Sequence, residues 1–86
     1  MHKITSLKVL EYRKIRITFS DGTEGTLTIH DDFTGAALPL REPSVFATAS
    51  IIDDGFGIGF KNCNYDICAS WAYDQVVAGL PVSVAL

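Results

Sequence analysis

The stretch Lys14-Ile15-Arg16-Ile17-Thr18-Phe19-Ser20-Asp21-Gly22-Thr23-Glu24-Gly25-Thr26-Leu27-Thr28-Ile29 decides the fold. Ile15, Ile17 and Phe19 alternate with Lys14, Arg16 and Thr18, the period of a strand with one buried face. After Ser20-Asp21-Gly22, the residues Gly25, Leu27 and Ile29 alternate in the same way with Glu24, Thr26 and Thr28. Parity then fixes the loop. A two-residue Asp21-Gly22 turn would set Phe19 opposite Glu24 and mix core with solvent. A three-residue loop with Gly22 in the left-handed position of a bulged turn removes the conflict. The expected register pairs Phe19 with Thr23, Ile17 with Gly25 and Ile15 with Leu27 inside. Outside it pairs Lys14 with Thr28, Arg16 with Thr26 and Thr18 with Glu24.

Leu7 and Val9 repeat the alternation one step earlier, so residues 4–10 are expected to complete an antiparallel meander through the short Glu11-Tyr12-Arg13 connection. Gly35, Pro39 and Pro43 punctuate residues 30–44, which read as mostly loop with a helical turn, Pro43 opening a short helix through Ala47. Residues 48–53 and 56–61 form a second hairpin around Asp53-Asp54-Gly55. A C-terminal helix follows, with Ser70 as N-cap, Asp74 near its start, Gly79 past its end and Pro81 beyond. Tyr73, Val76, Val77 and Leu80 are its expected apolar stripe. The fold class is therefore α+β: an antiparallel strand meander, short helical turns, a second hairpin and a C-terminal helix, all in one domain over residues 1–86.

Eighty-six residues suffice for a core that buries roughly 60% of the unfolded surface. The 48% hydrophobic and 20% charged composition excludes a disordered chain, and no apolar run reaches the length of a membrane span. The N-terminus interrupts its apolar residues with polar ones and lacks a signal-peptide core, so the expected address is cytoplasmic. Lys3, Lys8, Arg13, Lys14 and Arg16 face only Glu11 within residues 1–16, whereas the remainder is acidic and the net charge is −3. That balance argues against a bulk nucleic-acid binder and leaves room for a local basic patch.

No residue set for catalysis, metal or cofactor emerges. Cys63 and Cys68 lack the companion ligands and the paired spacing of a structural zinc site. His2 and His30 are far apart, and His30-Asp31-Asp32 leaves a strand with its side chains diverging, Asp31 or Asp32 capping a turn. In Gly55-Phe56-Gly57-Ile58-Gly59-Phe60 no helix follows to receive a phosphate. It reads as a strand with one bare face, open to close approach by a neighbour. The residues best suited to an interaction surface are Lys14 and Arg16 on an outward strand face, and Trp71 if it does not fold back on the core. Val82, Val84 and Leu86, on one side of an extended tail, join them. The tail is expected to dock as an extra strand or against a second copy, with a homodimer favoured.

Several segments occur in a familiar order: Ile4-Thr5-Ser6-Leu7-Lys8-Val9, Ile15-Arg16-Ile17-Thr18-Phe19-Ser20-Asp21-Gly22-Thr23 and Ala37-Leu38-Pro39-Leu40-Arg41-Glu42-Pro43 with Val45-Phe46-Ala47. Tyr65-Asp66-Ile67-Cys68 and Trp71-Ala72-Tyr73 complete the series. That order resembles the small bacterial domain of unknown function numbered 2442, over about residues 4–75. The resemblance implies an α+β fold and no established activity. It also implies a gene neighbour encoding another small protein, an arrangement like that of toxin–antitoxin pairs. Some members carry a helix-turn-helix domain after this one; here only a few residues follow the capped helix, so a DNA-reading role is not carried over. A Trp-Pro-Asn-Gly-like stretch of the family is altered to Phe60-Lys61-Asn62-Cys63-Asn64. The leading expectation is a non-catalytic protein-interaction module, with a nucleic-acid-associated regulator and a small enzyme as alternatives.

Overall fold

Ile15, Ile17 and Phe19 are fully buried, and Lys14 and Arg16 point to solvent, so the alternation sets the two faces of the central strand. The structure, a computed structural model, describes residues 2–79. Strands β1 (Ile4–Glu11), β2 (Lys14–Phe19) and β3 (Glu24–Thr28) form an antiparallel meander in that order. The β2–β3 register pairs Ile15 with Leu27, Arg16 with Thr26, Ile17 with Gly25 and Thr18 with Glu24. The Phe19 amide donates to the Thr23 carbonyl at 2.8 Å and the Gly22 amide to Phe19 at 3.0 Å, with Gly22 at φ +88. This is the odd loop that parity requires.

β1 pairs with β2 through Leu7–Ile17, Lys8–Arg16 and Val9–Ile15, with irregularities between Ile4 and Ser6 and between Val9 and Glu11. Glu11 belongs to the strand, so the connection is only Tyr12-Arg13. The Tyr12 hydroxyl donates to the carbonyls of Leu40 and Arg41 at 3.0 and 3.2 Å, tying this turn to the segment that follows β3. That segment is more ordered than a loop: Gly35–Arg41 is a 3-10 helix, and Pro43–Phe46 is the short helix α1 with proline in its first turn.

The second hairpin consists of β4 (Ser50–Ile52) and β5 (Gly57–Gly59) around a tight turn over Asp53–Gly55. The Ile52 side chain lies over the bare glycine face of β5: a Cβ on Gly57 or Gly59 would come within 3.0–3.1 Å of it. A third strand, β6 (Ile67–Cys68), pairs antiparallel with β5 and completes a second three-stranded sheet. Its two residues are too few to show a period.

Helix α2 (Ala69–Ala78) corrects two expectations. It starts directly from β6 with Cys68 in the cap position, and the Ala69 amide donates to the Phe56 carbonyl at 3.0 Å. Ser70 is therefore inside the helix rather than its N-cap, and Asp74 lies mid-helix. The buried face is also rotated from the expected stripe. Ala69 and Ala72 are buried and Tyr73 and Val76 half-buried, whereas Val77 is 63% exposed. The reason is close approach. A Cβ on Gly25 would stand 2.6 Å from a Val76 methyl, and a helix seated that low meets the core through alanines. Gly79 ends the helix in the left-handed conformation and donates to Gln75, as its sequence position implies. Leu80, Pro81 and the expected docking of Val82, Val84 and Leu86 lie outside the described residues.

The core joins the inner face of the meander to Phe33, Leu40, Phe46, Ile58, Phe60 and Ile67. Phe46 contacts Tyr12 edge-on at 5.6 Å and Phe60 at 5.7 Å, so α1 links the two sheets. No helix among the described residues is long and apolar enough to cross a membrane.

Candidate interaction surface

The outer face of the meander is built by the same alternation that fills the core. Lys8 stands opposite Arg16, and Arg16 opposite Thr26, making a row across all three strands. Lys14 stands opposite Glu11 on one side and Thr28 on the other. Diagonal neighbours on this face are within reach of long side chains. Accordingly, the Arg16 guanidinium donates to the Glu24 carboxylate at 2.8 Å, and the Lys14 ammonium lies 3.3 Å from Glu11. Lys8 has no acidic partner among the described residues. The result is a polar outer face with Arg16, ion-paired to Glu24, at its centre.

Trp71 belongs to a different layer. It is half-buried and packs against the core on α2, the helix that covers the inner face of β3. Its folding back on the core fits a large first-turn aromatic. Lys14 and Arg16 thus share one surface, and Trp71 is not part of it. Val82, Val84 and Leu86 lie outside the described residues.

A second constellation has no signature in the sequence. The His2 ring stacks on Tyr73, whose hydroxyl donates to the Asp21 carboxylate at 2.8 Å and lies 3.3 Å from the Thr23 hydroxyl. The Thr23 amide donates to Asp21 at 2.9 Å, and His2 Nδ1 is 4.0 Å from Asp21. The Thr23 amide first, then the Tyr73 and Thr23 hydroxyls, hold the Asp21 carboxyl below the usual carboxylate range. An imidazole, a carboxylate and a phenol together invite a catalytic reading. Asp21, however, directs its oxygens to Thr23 and Tyr73, which makes the group a clip joining the residue two places ahead of β1, the β2–β3 turn and α2. Asp21 at a turn is legible in the sequence; its meeting with residues 2 and 73 is tertiary.

The remaining candidates stay apart. His30, Asp31 and Asp32 are exposed on the segment leaving β3, and among the described residues no three His, Cys, Asp or Glu side chains gather to hold a metal. Cys63 and Cys68 are free thiols, Cys63 pointing its sulfur at the Ala36 carbonyl at 3.4 Å and Cys68 exposed. No family model matches this chain, and no curated protein or solved structure matches it either.

Proposed function

We propose that this chain is a non-catalytic, cytoplasmic protein-interaction module that presents the outer face of its meander to a protein partner. It would act as one member of a toxin–antitoxin-like or regulatory pair. The supporting observation is Arg16, held by Glu24 at the centre of the three-stranded outer face beside Lys8 and Thr26, a face that no element among the described residues covers. An arginine already fixed in one geometry loses less freedom on engagement, and arginine is enriched among the residues that dominate protein interfaces. The resemblance to the domain of unknown function numbered 2442 supports the paired arrangement. The nucleic-acid alternative is weakened by Glu11 and Glu24, which answer the charges of Lys14 and Arg16.

The test is affinity capture with the full-length chain and with a Lys8→Glu, Arg16→Glu variant. A specific protein retained by the wild type and lost by the variant, at unchanged melting temperature, is the expected result. Equal retention by both would place binding elsewhere and overturn the reading. Salt-dependent retention of nucleic acid in place of a protein would favour the regulator.

A further inference from the structure

Strand register sets the side chains of the outer face in three rows. Glu11, Lys14 and Thr28 stand side by side in the first, Lys8, Arg16 and Thr26 in the second, and Ser6, Thr18 and Glu24 in the third. The middle row breaks a rule of sheet pairing. Lys8 and Arg16, both cationic, are direct cross-strand neighbours, and like charges so placed repel. Glu24 does not lie between them: it sits on β3 and reaches Arg16 Nη2 at 2.8 Å from the side away from Lys8, which stands on β1. Among the described residues Lys8 has no acidic partner, and only Nη2 of the Arg16 guanidinium has a protein acceptor. Lys14, by contrast, is answered by Glu11 at 3.3 Å. Lys8, Arg16 and Glu24 are all exposed, so a partner can reach both cations. A local rule broken without gain to the fold marks a place where another demand acts.

We propose that Lys8 and Arg16 form one seat for a carboxylate of the protein partner, with Glu24 as its competitor within the free chain; this rests on the reading of the outer face as a partner surface. An aspartate or glutamate side chain placed between the two cations cancels their repulsion. It accepts from Nε or Nη1 of Arg16, donors that Glu24 leaves to solvent, in a charge-assisted bond of the stronger kind. Glu24 and the incoming carboxylate draw on the same guanidinium, so each weakens the hold of the other. The seat takes one charge, not a string of them. Glu11 in the first row and Glu24 in the third flank it and oppose the successive phosphates of a nucleic-acid strand. A single acidic side chain on a protein surface meets the middle row without meeting either.

NMR titration of the full-length chain with the capped tripeptide acetyl-Gly-Glu-Gly-amide, at constant ionic strength, should move the Arg16 Nε–H and Lys8 side-chain signals together. The glutamine counterpart of the peptide should leave both in place. Lys8→Gln and Arg16→Gln should each weaken peptide binding about threefold or more, and Glu24→Gln should strengthen it by up to about fivefold, the range that exposed charge pairs allow. Melting temperatures should stay at the wild-type value or, for Lys8→Gln, rise slightly, because opposed cations have been removed. Shifts of the same size at the exposed Lys3 and Lys61 side chains would show plain screening and overturn the proposal, as would peptide binding unaffected by Lys8→Gln. A short oligothymidylate that moves Lys8 and Arg16 at lower concentration than the peptide would overturn it in favour of nucleic acid. The same variants separate the carboxylate seat from the reading it rests on. A captured protein with equal affinity for wild type and Lys8→Gln, but lost with the Lys8→Glu, Arg16→Glu pair, would keep the outer face as the partner surface and remove the seat.

Discussion

The imidazole of His2 lies flat on the phenol ring of Tyr73, their centroids 3.4 Å apart and their planes 5° from parallel. Phe19 meets the Tyr73 ring edge-on at 5.0 Å, so Tyr73 joins an N-terminal residue to the core of β2. Tyr73→Phe keeps both ring contacts and removes the hydroxyl bonds. Tyr73→Ala removes everything and should cost about 2–3 kcal/mol, below the 3–5 typical of a fully buried aromatic. Urea unfolding should rank the phenylalanine variant close to wild type and the alanine variant well below it. Equal losses would show that the hydroxyl, not the ring, makes this junction.

Asp21 gives the clip a pH dependence of definite sign. Its carboxyl is held below its ordinary value of 3.8 in the folded state, so the stabilisation is complete above that value. It fades as pH falls through the lower, folded-state value. Asp21→Asn removes the titration. The melting temperatures of wild type and variant should differ by a constant amount at neutral and weakly acidic pH and converge below pH 3.8. A gap that widens toward acid would show the carboxylate to be destabilising in the fold.

At Gly25 α2 packs closely on the meander, since a Cβ there would meet Val76 Cγ1 at 2.6 Å. Gly25→Ala forces the helix outward and should destabilise by about 1–3 kcal/mol, the usual range for overpacking. Val76→Ala opens the space the new methyl needs. In a double-mutant cycle the pair should therefore be more stable than the sum of the single losses predicts. Strict additivity would mean that the helix does not rest on Gly25.

These contacts separate what was legible in the sequence from what was not. Parity within residues 14–29 dictated which side chains pair, and with that the exposure of Lys14 and Arg16. The diagonal reach from Arg16 to Glu24 follows from the same register. By contrast, the β6–α2 junction is made by an amide of Ala69 bonding to Phe56, a partner from another strand. No local cap signal encodes that bond, so Ser70 was the better-looking boundary. The helix stripe misled for a related reason. Hydrophobic size favours Val77, but a helix resting on a glycine buries Ala69 and Ala72. The clip of His2, Asp21 and Tyr73 spans almost the whole described chain and has no sequence spacing to reveal it.

The ion pair at the centre of the outer face should matter little to folding. Arg16 and Glu24 have side chains 44% and 57% exposed, and pairs so open to water contribute about 0–1 kcal/mol. Arg16→Ala and Glu24→Ala should each leave the urea midpoint nearly unchanged, the small difference shrinking further in high salt. A large loss for either would mean that the outer face is part of the stability core, and that binding defects of Arg16 variants reflect unfolding.

Gly55 marks the seam between the two sheets. It is buried in the turn of the second hairpin at φ +100, and a Cβ there would meet the Ile4 carbonyl at 2.7 Å and the Lys3 side chain at 2.5 Å. The lysine stem can swing aside, whereas the carbonyl is fixed by the strand it belongs to. Gly22 is the natural control: it also has a positive φ, +88, but nothing lies within 4 Å of its would-be Cβ. Gly22→Ala should therefore cost only the left-handed backbone penalty, about 1–2 kcal/mol. Gly55→Ala should carry that penalty and roughly 1–3 kcal/mol more from pushing the hairpin off β1. Chemical denaturation of the two variants isolates the difference. Equal losses at the two glycines would show that the seam yields freely and that the second hairpin is not seated on the entrance to β1.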